Sequence, residues 1–439
     1  MSTPIAADTA TTSSMPPPLV SPAARRWALI LLFSAYVVNY VDRQVVAILQ
    51  DPIKRELGLS DTQLGLLTGL SFALFYAAMG VPIARLADVR SRKTIISVAM
   101  VLWSFMTALC GAANSFVTLL LCRIGVGVGE AGLTPPAHSL ISDYYEPERR
   151  GGALAIYSAA GTVGLMVGFL AGGWINQFFG WRAAILVVGV PGLVLAALVW
   201  LTLREPRRGQ FDSLPGQAAA HDAGSGSALL ALARNPAFRC IALACGFHTF
   251  VNFGQGNWTP PFYGRLHGMT SGEIGTWLAL LSVGPGLIGM LSAGYFSDWL
   301  ARRRPNGRLE TAMGCMLLII PFELAAFLAP HRLVSLVTLA GAFFFAGGYL
   351  APCIAAAHSM MPANLRASAS AMIMLAVNLI GLGVGPLAVG LLSDHWMAAG
   401  GGPESLRHAM LAIVPAELIG AALIARAIVH IGRAKAAIR

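Results

Sequence analysis

Apolar runs of about 20 residues, each long enough to cross the hydrocarbon core of a bilayer, recur from Trp27 almost to the end of this 439-residue chain. No single feature constrains the fold more. Only 11% of residues are charged, where a soluble protein carries roughly 25%. The pattern predicts an all-α, multi-pass membrane protein. The opening stretch MSTPIAADTATTSSMPPPLVSPA is polar and Pro-rich, without the basic start and apolar core of a secretory signal.

Twelve helices are expected, near 26–50, 62–85, 93–113, 116–141, 151–177, 181–203, 237–262, 272–300, 310–329, 333–358, 366–397 and 406–430. The one long interruption, 204–236, is rich in Gly, Ser, Pro and Ala and reads as a linker. The chain thus divides into a disordered tail (1–25), a six-helix half (26–203), the linker (204–236), a second half (237–431) and a short tail (432–439). Of the 30 Lys and Arg residues, 22 fall on the side carrying both termini, six on the other side, and Arg43 and Arg123 within spans. By the positive-inside rule both termini are expected in the cytoplasm. The net charge of +10 is then mostly topogenic bias, with no nucleic-acid partner implied. The six cysteines sit in or beside apolar segments without metal-type spacing, and read as packing residues.

The halves are repeats. GLSDTQLG (58–65) aligns with GMTSGEIG (268–275), and the same offset carries Asp88 onto Asp298. A second alignment lays 118–140 on 338–360 and superposes His138 on His358. A parallel duplication of six helices implies two pseudo-symmetric halves that rock around a central cavity.

Each half carries a basic loop after an Asp: ARLADVRSRK (84–93) and GYFSDWLARRR (294–304). An Asp at a helix end can cap the next helix and pair with Arg across the loop. Asp88, Arg92, Lys93, Asp298 and Arg302 are therefore candidates for a conformational latch, although topogenic charge alone would also place basic residues here. This loop resembles the signature of the major facilitator superfamily, with Ala84 where that signature has Gly. Gly161, Gly164, Gly168 and Gly172 form a stripe in GTVGLMVGFLAGG (161–173). It resembles the family's antiporter-associated motif without its Gly-Pro pair, and equally fits close helix packing. RIGVGVGEAGLTPPAHSLISDYY (123–145), with NYVDRQ (39–44) and GWR (180–182), is similar to the Spinster branch of the superfamily. That resemblance implies a bacterial inner-membrane transporter of sphingosine 1-phosphate, lysophospholipids or similar molecules, driven by protons.

Charged groups within spans are costly, about 2.5–3.5 kcal/mol each on insertion scales. Four occur in the first half: Asp42, Arg43, Arg123 and Glu130. Counting rise per residue puts Asp42 level with Arg123, so these two are expected to pair, while Arg43 can address Glu130 or the cavity. Arg123, Gly127 and Glu130 share a helix face. The repeat maps Asp42 to Asn252, Arg43 to Phe253, Arg123 to Phe343 and Glu130 to Leu350. The fold therefore does not require these charges. Asp42 and Glu130 become the expected proton carriers, and Arg43 and Arg123 the anion or charge-pair partners. Asn252, Phe253 and Phe343 are expected substrate contacts on the opposing half, within an aromatic wall of Phe250, Phe253, Trp258, Phe343, Phe344, Phe345 and Tyr349. His248 reads as a hydrogen-bonded structural residue or a proton relay. Glu323 and Glu417 each follow a proline by two residues and either satisfy backbone groups or sit near water.

The function expected is proton-coupled transport of an amphipathic, lipid-like anion by a monomer without cofactor or metal. Uptake of small organic anions on the same fold is an alternative. A membrane-embedded lipid-modifying enzyme is a second alternative, disfavoured by scattered histidines and the absence of P-loop, HExxH or GxSxG motifs.

Overall fold

The computed structural model describes residues 20–211, 232, 234–361 and 365–438. Most of the expected linker and residues 1–19 of the expected tail lie outside these. Twelve long helices and a short one, Gln50–Leu57 between the first two, make up most of the described residues, which contain no strand. The long helices are α1 (Pro22–Ile48), α2 (Asp61–Val89), α3 (Arg92–Cys110), α4 (Phe116–Tyr144), α5 and α6 (147–179 and 181–202), α7 (Pro236–His267), α8 (Ser271–Arg303), α9 (Gly307–Leu328), α10 (Arg332–Ser359), α11 (366–398) and α12 (404–438). α5 runs into α6 with one break, at Gly180, whose φ of 81° suits a residue without a side chain. α1 starts earlier than expected because Ser21 caps it and Pro22 opens its first turn. α12 stays helical to Ile438, so the expected C-terminal tail is an extension of that helix.

The repeat is visible in the caps. α2 and α8 both begin with a capping box, Ser60 with Gln63 and Thr270 with Glu273. Both follow a left-handed glycine, Gly58 at φ 65° and Gly268 at φ 61°. α4 and α10 are each broken in mid-span: α4 after Glu130 and α10 at Gly347–Tyr349. The outer helices expose apolar side chains for a bilayer to cover, among them Val98 and Phe105 on α3, Val190 and Val194 on α6, Leu318 on α9 and Leu418 on α12.

Among the described residues, every hydrogen bond joining the halves lies at the face away from the termini, here the far face. There Gln50 meets Asn257, Ser271 donates to the Gly173 carbonyl at 2.9 Å, and Trp174 donates to Thr276 at 3.0 Å. Asp394 at the end of α11 accepts from the Asp61 and Thr62 N–H groups at 3.0 and 2.7 Å, capping α2 across the interface. Toward the face carrying the termini, α2 instead exposes Val81, Leu86 and Val89.

Candidate functional site

The four first-half charges converge in the interior, but not as their depths suggest. Glu130 sits at the last residue before the break in α4. It accepts from the Arg43 Nε at 2.6 Å. Its side chain is fully buried, while that of Arg43 is 19% exposed. Asp42, on the adjacent stave of α1, turns instead toward α3, where its Oδ2 accepts from the Thr107 hydroxyl at 3.3 Å. Its Oδ1 is buried without a partner, as is the Arg123 Nε. Rise along a helix speaks only to depth, whereas azimuth decides pairing, and no ion pair joins Asp42 to Arg123 among the described residues.

Aromatic rings take the place of further counter-ions. The Arg43 guanidinium lies 4.9 Å from the ring centres of both Phe72 and Tyr76 and 5.5 Å from Tyr40. Arg123 lies 5.4 Å from the same Phe72 ring, so Phe72 is shared by two cations. Gly127 does not open space for a ligand: a Cβ there would come within 3.0 Å of the Phe72 carbonyl oxygen, so the position admits the α2 backbone. The glycine stripe of α5 is likewise a packing seam against α1. A Cβ on Gly164 would fall 2.5 Å from the Tyr40 Cβ.

Chemically, this interior holds one ion pair, two carboxyls that each keep one buried oxygen without a partner (Asp42 Oδ1 and Glu130 Oε1), and in Arg123 a guanidinium faced by a ring. An isolated buried carboxylate is costly unless it is compensated or takes a proton. A buried guanidinium stacked on an aromatic face keeps N–H donors for an anion.

On the opposing half, Asn252, Phe253 and Phe343 are half-buried, and none makes a hydrogen bond or ion pair with the charged set. The expected aromatic wall is only partly present. Trp258 is buried in the core shared by the two halves and donates to the Pro386 carbonyl at 2.9 Å, and Tyr349 packs on His248 with ring centres 4.3 Å apart. Glu323 and Glu417 are not near water: both are buried, and Glu417 meets His248 at 2.8 Å.

The two basic loops differ. Arg92 is buried and binds Glu205 at 2.8 Å, Ser139 at 2.9 Å, and Asp143. Lys93 gives its N–H to Glu205 at 2.9 Å. Asp88 is exposed without an ion pair among the described residues. In the second copy Asp298 pairs with Arg308 at 3.3 Å and Arg302 is exposed.

Sequence reasoning missed the far-face ion network: Arg265 of α7 with Asp51 and Asp61, and Lys54 with Asp61. Its one sequence signal was the GLSD stretch in the repeat, since GMTS has no acid at the matching position.

The family model described as Major Facilitator Superfamily matches residues 32–386. A protein named "MFS-type efflux pump" from Mycolicibacterium smegmatis is 35% identical over 399 residues, 90% of this chain and 91% of its own length. A probable L-galactonate transporter of Escherichia coli is 28% identical over 63% of this chain and 62% of its own. Among solved structures, a bacterial homologue of the human lysosomal transporter Spinster, in an inward-facing and unoccupied conformation, superposes with a TM-score of 0.85. It is 33% identical, and the match covers 93% of this chain and 98% of that one. The chain belongs to the Major Facilitator Superfamily, as a Spinster-type secondary transporter rather than an enzyme.

Proposed function

We propose that the chain is a proton-coupled transporter of an amphipathic, lipid-like anion that works by alternating access as a monomer. The observation that carries this reading is the Arg43–Glu130 contact of 2.6 Å beside a buried Asp42 with one unpartnered oxygen. Asp42 and Glu130 take up the proton. Arg43 and Arg123 receive the anionic group, with Arg43 released from Glu130 as that acid is protonated. Asn252, Phe253 and Phe343 face the apolar part of the substrate. The relative named as an efflux pump supports outward movement of such molecules.

With the termini in the cytoplasm of a bacterial inner membrane, a conformer sealed at the far face is open inward. Asp88, Arg92, Lys93, Asp298 and Arg302 then close the opposite face in the other half of the cycle. Among the described residues Asp88 and Arg302 are exposed and make no ion pair, which suits that role better than the buried Arg92, committed to Asp143 and Glu205.

A second reading, transport of small organic anions, is favoured by the likeness to the probable L-galactonate transporter. Proteoliposomes with an imposed pH gradient separate the readings. The wild type should move a lysophospholipid faster with the gradient than without it, and Asp42→Asn and Glu130→Gln should lose that acceleration. Arg43→Ala should lose transport in both conditions. Gradient-indifferent flux would sink proton coupling, and gradient-driven flux of sugar acids but not lysolipid would establish the second reading.

A further inference from the structure

The second half carries a buried titratable cluster that the first-half site does not use. We propose that His248, Glu417 and Glu323 form a second proton-binding site, and that its proton holds together the breaks in α10 and α12.

The two ring nitrogens of His248 both face oxygen. Nδ1 lies 2.8 Å from the Glu417 Oε2, and Nε2 lies 3.0 Å from the carbonyl oxygen of Ala346. Ala346 is the last residue before the break in α10, so its carbonyl has lost its helical donor. A carbonyl only accepts, so Nε2 carries hydrogen. The contact at Nδ1 then needs one further proton, on the imidazole or on the carboxyl. Glu417 itself lies just past the Ile413–Pro415 break in α12. One proton therefore bridges two helix breaks.

The groups that face His248 come from two helices. Glu417 comes from α12 and Tyr349 from α10, and Tyr349 in turn has Cys353 of α10 and Cys245 of α7 as neighbours. Glu323 of α9 neighbours Glu417, with Gln255 beside it. No Lys or Arg pairs with either acid among the described residues. His248 and Glu417 have fully buried side chains. One oxygen of each carboxyl, Glu323 Oε2 and Glu417 Oε1, is buried without a partner. Two acids and an imidazole in a dry volume are neutral only when they share two protons beyond the Nε2 hydrogen. When the Nδ1–Oε2 proton leaves to water, the cluster goes from neutral to one negative charge and two acceptors face each other at 2.8 Å. The imidazole must then part from Glu417, or move its remaining hydrogen to Nδ1 and release the Ala346 carbonyl. Either outcome loosens a break.

The proposal extends the proton-coupled reading to the second half, and its test needs no substrate. The full chain is reconstituted in liposomes, and infrared difference spectra are recorded between acid and alkaline pH. The wild type should show protonated-carboxyl C=O bands. Glu417→Gln and Glu323→Gln should each remove a component, and these components should persist in the Asp42→Asn/Glu130→Gln double variant. His248→Gln should shift the Glu417 component. Spectra of Glu417→Gln and Glu323→Gln identical to wild type would overturn the proposal. Loss of every band in the double variant would do so equally, by assigning all the titration to the first half. Should Glu417→Gln not assemble, His248→Gln reads the Glu417 component through its shift, and an unshifted band there would overturn the proposal equally.

Discussion

Arg265, near the end of α7, grips Asp61 at the first turn of α2 through two N–H donors, at 2.8 and 2.9 Å. Asp61 also accepts from Lys54 at 2.5 Å and from the Ser393 hydroxyl at 2.7 Å. Its side chain is 1% exposed. One carboxylate thus ties both halves together at the far face. Breaking a buried pair by removing one partner costs about 3–5 kcal/mol, because it strands the other charge. Asp61→Asn is expected to shift the chain away from the far-closed conformer. Spin labels at Arg55 and Arg332, one in each half at this face, report the distance between them. A longer distance population should appear in Asp61→Asn, and an unchanged distribution would remove Asp61 as the gate.

The Arg43–Glu130 contact predicts a thermodynamic cycle. Arg43→Gln leaves Glu130 buried without its cation, and Glu130→Gln leaves Arg43 with only aromatic faces. Each single variant should melt lower than wild type in detergent. The double variant should recover part of the loss, with a coupling of about 0.5–3 kcal/mol. Strict additivity would mean that the pair is not formed in solution.

Much of the architecture could be read in the sequence because membrane spans and caps are local signals. The apolar runs, the Ser60–Gln63 and Thr270–Glu273 boxes and the basic bias need only nearby residues. Asp42, Arg43, Arg123 and Glu130 stood out because charge is rare in a span. The Arg43–Glu130 pair was one of two options open in the sequence, but the expected Asp42–Arg123 pair does not form, since rotation of α1 sends Asp42 to Thr107. The Arg265–Asp61 and His248–Glu417 contacts join residues 204 and 169 positions apart. Only the docking of α11 on the start of α2, beside the end of α7, and the packing of α7 against α12 bring them together. Positions in the second half that match the first-half charges are neutral, yet that half buries its own acids, Glu323 and Glu417, at unmatched positions.

Glu205 gives a pH prediction outside the spans. Burial alone would raise its carboxyl. Hydrogen bonds from Arg92, the Lys93 N–H and Ser91 more than offset that and hold it below the ordinary glutamate value. A group depressed in the folded state contributes stability that is fully present above its unfolded value, about 4.3. That contribution is lost as pH falls through the folded value. Thermal unfolding should therefore be insensitive to this group near neutral pH and weaken under acid. Glu205→Gln should melt lower at neutral pH and show a flatter acid limb. Parallel acid limbs in the two proteins would exclude Glu205 as the source.

Two glycines separate fold stability from conformational preference. Gly164 lies within the first half, where an added Cβ would fall 2.5 Å from the Tyr40 Cβ and 2.6 Å from the Val37 carbonyl oxygen. Gly275 lies between the halves, where a Cβ would meet the Phe169 carbonyl oxygen at 2.2 Å. Both clashes involve groups that cannot simply rotate away, and overpacking of this kind costs typically about 1–3 kcal/mol. The α1–α5 seam belongs to one half and persists in any rocking motion, so Gly164→Ala should lower the melting temperature without changing the far-face distance. On the alternating-access reading, the α5–α8 contact, which joins the two halves, opens with the far face. Gly275→Ala should accordingly leave melting near wild type and lengthen the Arg55–Arg332 spin-label distance, as Asp61→Asn does. If Gly275→Ala lowered melting as much as Gly164→Ala and left the distance unchanged, the α5–α8 crossing would be a permanent part of the fold rather than a contact that opens.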